Sequence, residues 1–163
     1  LFKNNIQIMK NDEYTNLVEI GKYPEDPTVP IDHSFVNENG EIKNILLQSF
    51  TSVAIINSKL GSIRANHYHK TDWHYSYILD GLISYLWRPV GLLDKPKMIN
   101  YSKNTMFFTP PMVEHAMFFP VETTFITFAK NRRDHENHES DLVRVKLADV
   151  IFNKEKKQYQ LRY

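Results

Sequence analysis

The sequence predicts an all-β sandwich or barrel, and three observations carry that reading. From Asn44 onward the chain divides into seven or eight short segments rich in β-branched and aromatic residues, among them "AIINS", "IRANHYH", "WHYSYIL", "LISYLWRPV", "KMINY", "TMFFT", "HAMFF" and "TTFITFAK". Turn signals separate them at regular intervals: "SKLGS", "HKTD", "LDG", "VGLLDKPK", "SKN" and "TPPMVEH". Little 3.6-residue periodicity survives over any ten-residue window, which argues against helices.

The elements follow in order within a single domain, 1–163. Residues 1–43 mix charge, Asn and the three prolines of "YPEDPTVP", and read as an irregular lead-in with one short strand. Residues 44–130 hold the strand-forming segments and form the barrel core. Residues 131–163 are a C-terminal extension: "NRRDHENHESD" alternates in sign and reads as a solvated loop with His135 and His138 at the surface. "LVRVKL" then alternates as a last or edge strand, and a charged tail closes the chain.

Bulk composition narrows the function classes. A chain of 163 residues with 42% hydrophobic and 13% aromatic residues can bury one real core. Twenty Lys and Arg against nineteen Asp and Glu give a net charge of +1, so no overall field recruits nucleic acid or an anionic membrane surface. Without cysteine there is no disulfide framework, thiolate metal site or thiol nucleophile. The apolar runs fall short of the ~20 residues that span a bilayer, and Leu1 opens no signal-peptide pattern. A soluble, cytoplasmic protein is expected.

The chemistry concentrates in "HYHKTDWHY", residues 67–75. On a strand, residues i and i+2 share a face, so His67 and His69 project together and Tyr68 points away. "KTDW" is short enough to turn the chain back, which brings His74 beside them. His115, after Pro110-Pro111, enters the same interior if the segments close into a barrel. Such a cluster can hold a divalent metal, since imidazole serves Zn, Fe, Ni, Cu and Mn centres. It can equally supply a base near neutrality, or be a set of hydrogen-bonded interior histidines. Arg64, three residues before His67, has the planar fork of donors that grips phosphate. Tyr75, Tyr77, Tyr85, Trp73 and Trp87 offer faces for a sugar or base, or fill the core.

These residues resemble a family. "GSIRANHYHKTDWHYSYILDG" is similar to the first cupin motif, with Gly61, His67, His69 and Gly81 in register and His74 in the slot usually held by glutamate. "NTMFFTPPMVEHAMFF" is similar to the second, with Pro110 and His115 in register; Asn104 and Met112 replace glycines and Phe119 an asparagine. The resemblance implies a jelly-roll (double-stranded β-helix) cupin barrel, usually a homodimer, with a pocket ringed by His67, His69, His74 and His115. "IRANHYHK" further resembles the R-G-x-H-x-H stretch of cupin 3,4-ketoisomerases and 3,5-epimerases of nucleotide-linked keto-deoxysugars, with Ala65 in place of glycine. "IDHSFVNENGEIKNIL" faintly resembles their early D-x-R-G segment.

Carried over by position, His67 becomes the base and His69 its partner, while Arg64 contacts the substrate. Tyr77 and Trp87 are the aromatic substrate contacts expected with them. The implied function is isomerisation or epimerisation of a nucleotide-linked sugar for surface polysaccharide, with no organic cofactor. A divalent metal (Zn, Fe, Ni or Mn) on His67, His69, His74 and His115 is a further expectation, because related surface-polysaccharide cupins with an "N-H-Y-H" stretch bind zinc. Two alternatives stand beside this reading: a metal-dependent, oxygenase-like cupin with a three- or four-His centre, and a non-catalytic sugar- or metal-binding cupin. The acidic partner that orients the base in the epimerases has no assignable position in the sequence.

Overall fold

The structure, a computed structural model, describes residues 13–19 and 23–163. The lead-in expectations for residues 1–12 and 20–22 fall outside them. In chain order the elements are α1 Glu13–Glu19, β1 Thr28–Val29, β2 Asp32–Asn37, β3 Gly40–Asn44, β4 Ser52–Ser58, β5 Ile63–His69, β6 His74–Asp80 and β7 Leu82–Pro89. They continue with β8 Lys97–Ser102, β9 Met106–Thr109, β10 Val113–Phe118, β11 Thr123–Ala129, α2 His135–Asp141, β12 Leu142–Arg144, β13 Asp149–Asn153 and β14 Gln158–Arg162.

Ten strands form two five-stranded antiparallel sheets. Their orders are β1-β9-β6-β11-β4 and β12-β5-β10-β7-β8, and β2-β3 and β13-β14 are separate hairpins. Consecutive strands alternate between the sheets through most of the barrel, which is the jelly-roll arrangement. Between the sheets lie Ile78, Ile83, Tyr85, Trp87, Tyr101, Phe107, Val113, Phe119 and Phe125. Full burial of a side chain such as Phe107 contributes ~1.5–3 kcal/mol.

Strand parity decides what faces inward. On β6, Ile78 joins the inner core while Tyr75 and Tyr77 pack on the outer face with Tyr14 of α1, Met106 and Phe108. The outer face of the other sheet carries Leu86 and Ala116 beneath Leu147, Ala148 and Leu161. The lead-in therefore covers one sheet and the C-terminal extension covers the other. Each also adds a strand: β1 pairs with β9, and β12 pairs with β5. The sequence reading missed α1 and both hairpins, and placed the solvated loop where α2 forms. Helix α2 has no buried residue and no apolar stripe, so periodicity has nothing to detect. Asp134 caps it by accepting from the Asn137 N–H at 3.1 Å.

The motif glycine positions share one backbone feature. Gly61 and Gly81 have φ of 75° and 96°, and Ala65, Asn104 and Met112 have φ of 67°, 64° and 57°. A Cβ on Gly81 would lie 2.5 Å from the Glu122 carbonyl oxygen, so that turn needs glycine for space as well. Elsewhere the left-handed turn persists with a side chain present, at ~1–2 kcal/mol for Ala65 or Met112 and less for Asn104.

Candidate functional site

β5 delivers two histidines and an arginine to one interior by an irregularity. Arg64 and His67 are three residues apart, which on a regular strand would put them on opposite faces. Against β10, however, Met117 opposes Arg64, Ala116 opposes Ala65 and His115 opposes His67, so Asn66 is an extra residue in a β-bulge. Both Arg64 and His67 consequently line one cavity of about 170 Å³. The bulge is held from outside: the Asn66 side chain accepts from the Leu147 and Ala148 N–H groups at 3.2 and 3.0 Å and donates to the Ala148 carbonyl at 3.0 Å.

The four motif histidines converge. Ring centroids are 4.7 Å apart for His67–His69 and for His67–His115, and 4.6 Å for His69–His74. His69, His74 and His115 are buried, and His67 is half-buried. His67, His74 and His115 line the cavity with Ser76, Thr109 and Thr127, while His69 sits behind them.

Their partners set the tautomers. His115 donates from Nδ1 to the Val113 carbonyl at 3.1 Å, and His69 Nδ1 meets Asp141 Oδ2 at 3.1 Å. A carbonyl or carboxylate only accepts, so both rings carry hydrogen on Nδ1 and present the Nε2 lone pair. His74 is turned the other way: Nε2 donates to Asp72 Oδ2 at 2.8 Å. No hydrogen bond holds His67 among the described residues.

Burial and mutual repulsion favour the neutral form of His67, His69 and His115. The buried cavity, with His69 and His74 adding repulsion, pushes His67 down to about 3. Burial likewise carries His115 well below its ordinary value, and burial with the His74 charge lowers His69 despite Asp72 and Asp141. Burial opposes ionisation of Asp72, but the His74 hydrogen bond and charge and the Asn131 N–H outweigh it, so its carboxyl is shifted down. Among the described residues, the cavity lining includes no carboxylate.

Among the described residues no carboxylate hydrogen-bonds His67, so the acidic partner of the base is not found; the carboxylates present are set against its neighbours, Asp72, inside the turn between β5 and β6, on His74, and Asp141, at the end of α2, on His69. Asp141 also accepts from the Thr71 N–H and hydroxyl at 2.9 and 2.7 Å. Two further residues missed in the sequence line the cavity, Arg133 and His138. The expectation of a surface position holds for His135, which is exposed, but not for His138: α2 folds over the barrel mouth and sets its ring 5.5 Å from that of His69. Tyr77 and Trp87 are not brought to this cavity. Tyr77 has the opposite strand parity to His74 and donates to Asn104 Oδ1 on the outer face. Trp87 stacks on Tyr85 and lines a different cleft of about 230 Å³ beside Arg88 and Pro110.

The ligand atoms of His67, His69 and His115 lie within 4.8 Å of one another, whereas His74 belongs to a second such group with His69 and Asp72. Among the described residues, Nε2 of His69 is the sole buried side-chain polar atom without a partner. An imidazole held at Nδ1 by a carboxylate with a bare, buried Nε2 is the arrangement found behind metal ions. The donor set of His67, His69 and His115 thus fits a divalent cation.

Comparison with protein-family models and with curated proteins finds no match. Among solved structures, a 3,4-ketoisomerase from Helicobacter canadensis superposes with a TM-score of 0.61 at 14% identity, over 75% of this chain and 92% of that one. QdtA, a sugar 3,4-ketoisomerase from Thermoanaerobacterium thermosaccharolyticum in complex with TDP, gives 0.58 at 18% identity over 72% and 88%. The dTDP-4-dehydrorhamnose 3,5-epimerase from Elizabethkingia anophelis gives 0.56 at 17% identity over 67% and 70%. The chain has the cupin jelly-roll fold of these structures.

Proposed function

We propose that the chain isomerises or epimerises a nucleotide-linked keto-deoxysugar in surface-polysaccharide biosynthesis, acting as a homodimer through histidine-mediated proton transfer beside a ketone. One observation carries this reading: the β5 bulge sets Arg64 and the neutral His67 in a single carboxylate-free cavity, inside a fold shared with ketoisomerases and epimerases of such sugars. His67 accepts the proton from the carbon next to the ketone, forming an enediolate. A second imidazole on the cavity wall gives its own proton to a neighbouring carbon. His67 then releases the proton it took to solvent, the second imidazole regains one from solvent, and in an isomerisation the hydroxyl proton passes to the former ketone oxygen. His74 suits that role better than the expected His69, because it faces the cavity with Asp72 behind it while His69 lies one layer back. No electrons are gained or lost overall.

A base pushed down to about 3 is weak in the empty site. The diphosphate of the substrate, gripped by Arg64, brings negative charge near His67 and raises its proton affinity on binding. Incubation with dTDP- and GDP-linked 4-keto-6-deoxysugars in deuterated water tests the reading. Solvent deuterium is expected at carbon beside the ketone, with isomerised product; no exchange and no product from any of them sinks it.

The bare Nε2 of His69 favours a second reading of the same site, in which His67, His69 and His115 hold Zn, Fe, Ni or Mn. Such an ion would supply a Lewis acid to polarise a substrate oxygen. Elemental analysis is expected to show about one equivalent per chain, lost in His115→Ala and kept in His74→Ala. A metal-free preparation with full turnover removes this reading.

A further inference from the structure

We infer that Arg133, on the segment between β11 and α2, is a second substrate-binding arginine that closes with Arg64 on a phosphoryl group. Both guanidinium groups line the cavity that holds His67 and His115. Arg133 is half-buried and donates from Nη1 to Thr127 Oγ1 at 2.7 Å. Its Nε and Nη2 have no acceptor among the described residues. Arg64 is anchored through Nε to Ser58 Oγ at 2.8 Å and through Nη2 to the Asn57 carbonyl at 3.0 Å, which leaves Nη1. Neither arginine has a carboxylate within ion-pair distance among the described residues.

Two arginines without a carboxylate partner line one cavity, Arg64 exposed and Arg133 half-buried, and the burial falls on Arg133. Burial, outweighing the attraction of Asp72, lowers the proton affinity of Arg133, and Arg64 lowers it further. An oxyanion between them relieves both penalties and accepts the free donors at once, and guanidinium geometry suits phosphate. The inference rests on the proposed sugar-nucleotide reading and deepens it: Arg133 reads the diphosphate beside Arg64, both anchored to the neighbouring strands β4 and β11, while the histidines read the sugar. The anchoring of each guanidinium by its own neighbour leaves the two forks preset for an anion, with little ordering required on binding.

The experiment uses the full chain with inorganic pyrophosphate and TDP as probes, followed by titration calorimetry and thermal melting. Wild type is expected to bind both probes and melt higher in their presence. Arg133→Gln should weaken each roughly ten- to a hundredfold, Arg133→Lys should recover part of the loss, and the unliganded melting temperature of Arg133→Gln should be no lower than wild type. Unchanged affinity in Arg133→Gln, absence of pyrophosphate binding to wild type, or a lower unliganded melting temperature with affinity intact would each overturn it. Pyrophosphate binding that depends on Arg133 without turnover of any keto-sugar nucleotide keeps the clamp and removes the isomerase reading. Turnover that is indifferent to Arg133→Gln does the reverse.

Discussion

The cavity has a wall and a flank, and they are held by different forces. The wall is barrel strand: His67 and His115 are fixed opposite each other by the β5–β10 register, and His74 by its pairing with Thr109 and Ala129. The flank is residues 130–141, which bury no apolar helix face. It is laced to the β5–β6 turn by polar bonds: Lys130 N–H to the Trp73 carbonyl at 3.2 Å, Asn131 N–H to Asp72 Oδ1 at 2.8 Å and Lys70 N–H to the Asp141 carbonyl at 2.9 Å. A wall so built keeps its bases in place whatever the flank does. The flank, lacking buried apolar contacts, opens at a lower free energy than the barrel.

The sharpest test of that contrast is at His67. Replacing it by Gln is expected to lower kcat by roughly 10²–10⁴ with little change in melting temperature, since the strand ladder and not the ring holds β5. Comparable loss from His138→Gln would erase the distinction, because the flank would then carry the chemistry. Next in size is Asp72, the buried carboxylate that joins the two regions. Asp72→Ala leaves the His74 Nε2–H and the Asn131 N–H unsatisfied and should cost about 3 kcal/mol in urea unfolding. Asp141→Ala, nearer solvent, should cost about half as much; the reverse order would show that the flank is the stronger anchor.

Acid should destabilise the fold through the histidines of the wall. His67, His69 and His115 titrate below the ordinary value of 6.5 in the folded chain. Between 6.5 and their folded values the unfolded chain binds protons that the folded chain excludes, so stability falls as pH drops through that window and is flat above it. Melting temperature is therefore expected to hold from about pH 8 to 7 and to fall steadily from about 6.5 to 4. In kinetics, kcat/KM should show no acid limb from His67 above about pH 5, and kcat should show one at higher pH, since bound diphosphate raises its affinity for a proton. Hydrogen exchange offers the mildest perturbation: amides of α2 should exchange faster than those of β6, and equal rates would contradict the proposed contrast.

Much of the wall was legible. Period-two spacing predicts that His67 and His69 share a face, a short turn predicts His74 beside them, and the motif resemblance adds His115. The same parity rule, applied to β6, places Tyr77 with Tyr75 on the face away from His74, so the signal against Tyr77 was present. Trp87 does point inward, but it opens onto the other cleft, a distinction that only the closed barrel makes. The flank was not legible, because "NRRDHENHESD" has no apolar period and is ordered by a cap and by polar bonds to residues some 60–70 positions earlier. Asp72 and Asp141 escaped for the same reason: a carboxylate's role here depends on which imidazole the fold sets against it.

The bulge at Ala65–Asn66 makes the site sensitive to strand pairing as well as to composition. Most positions of a strand can be altered one side chain at a time, and the neighbours keep their facing. Regular pairing of β5 with β10 at unchanged length, with Asn66 opposite Ala116, would instead shift the phase of everything before it: Ile63 would turn into the cavity and Arg64 away from it, with each residue still present. A strand so paired would keep the same inventory of histidines and arginines and part Arg64 from His67, so in this fold a slip of one residue acts as a rotation, whereas deleting Asn66 would leave both on one face.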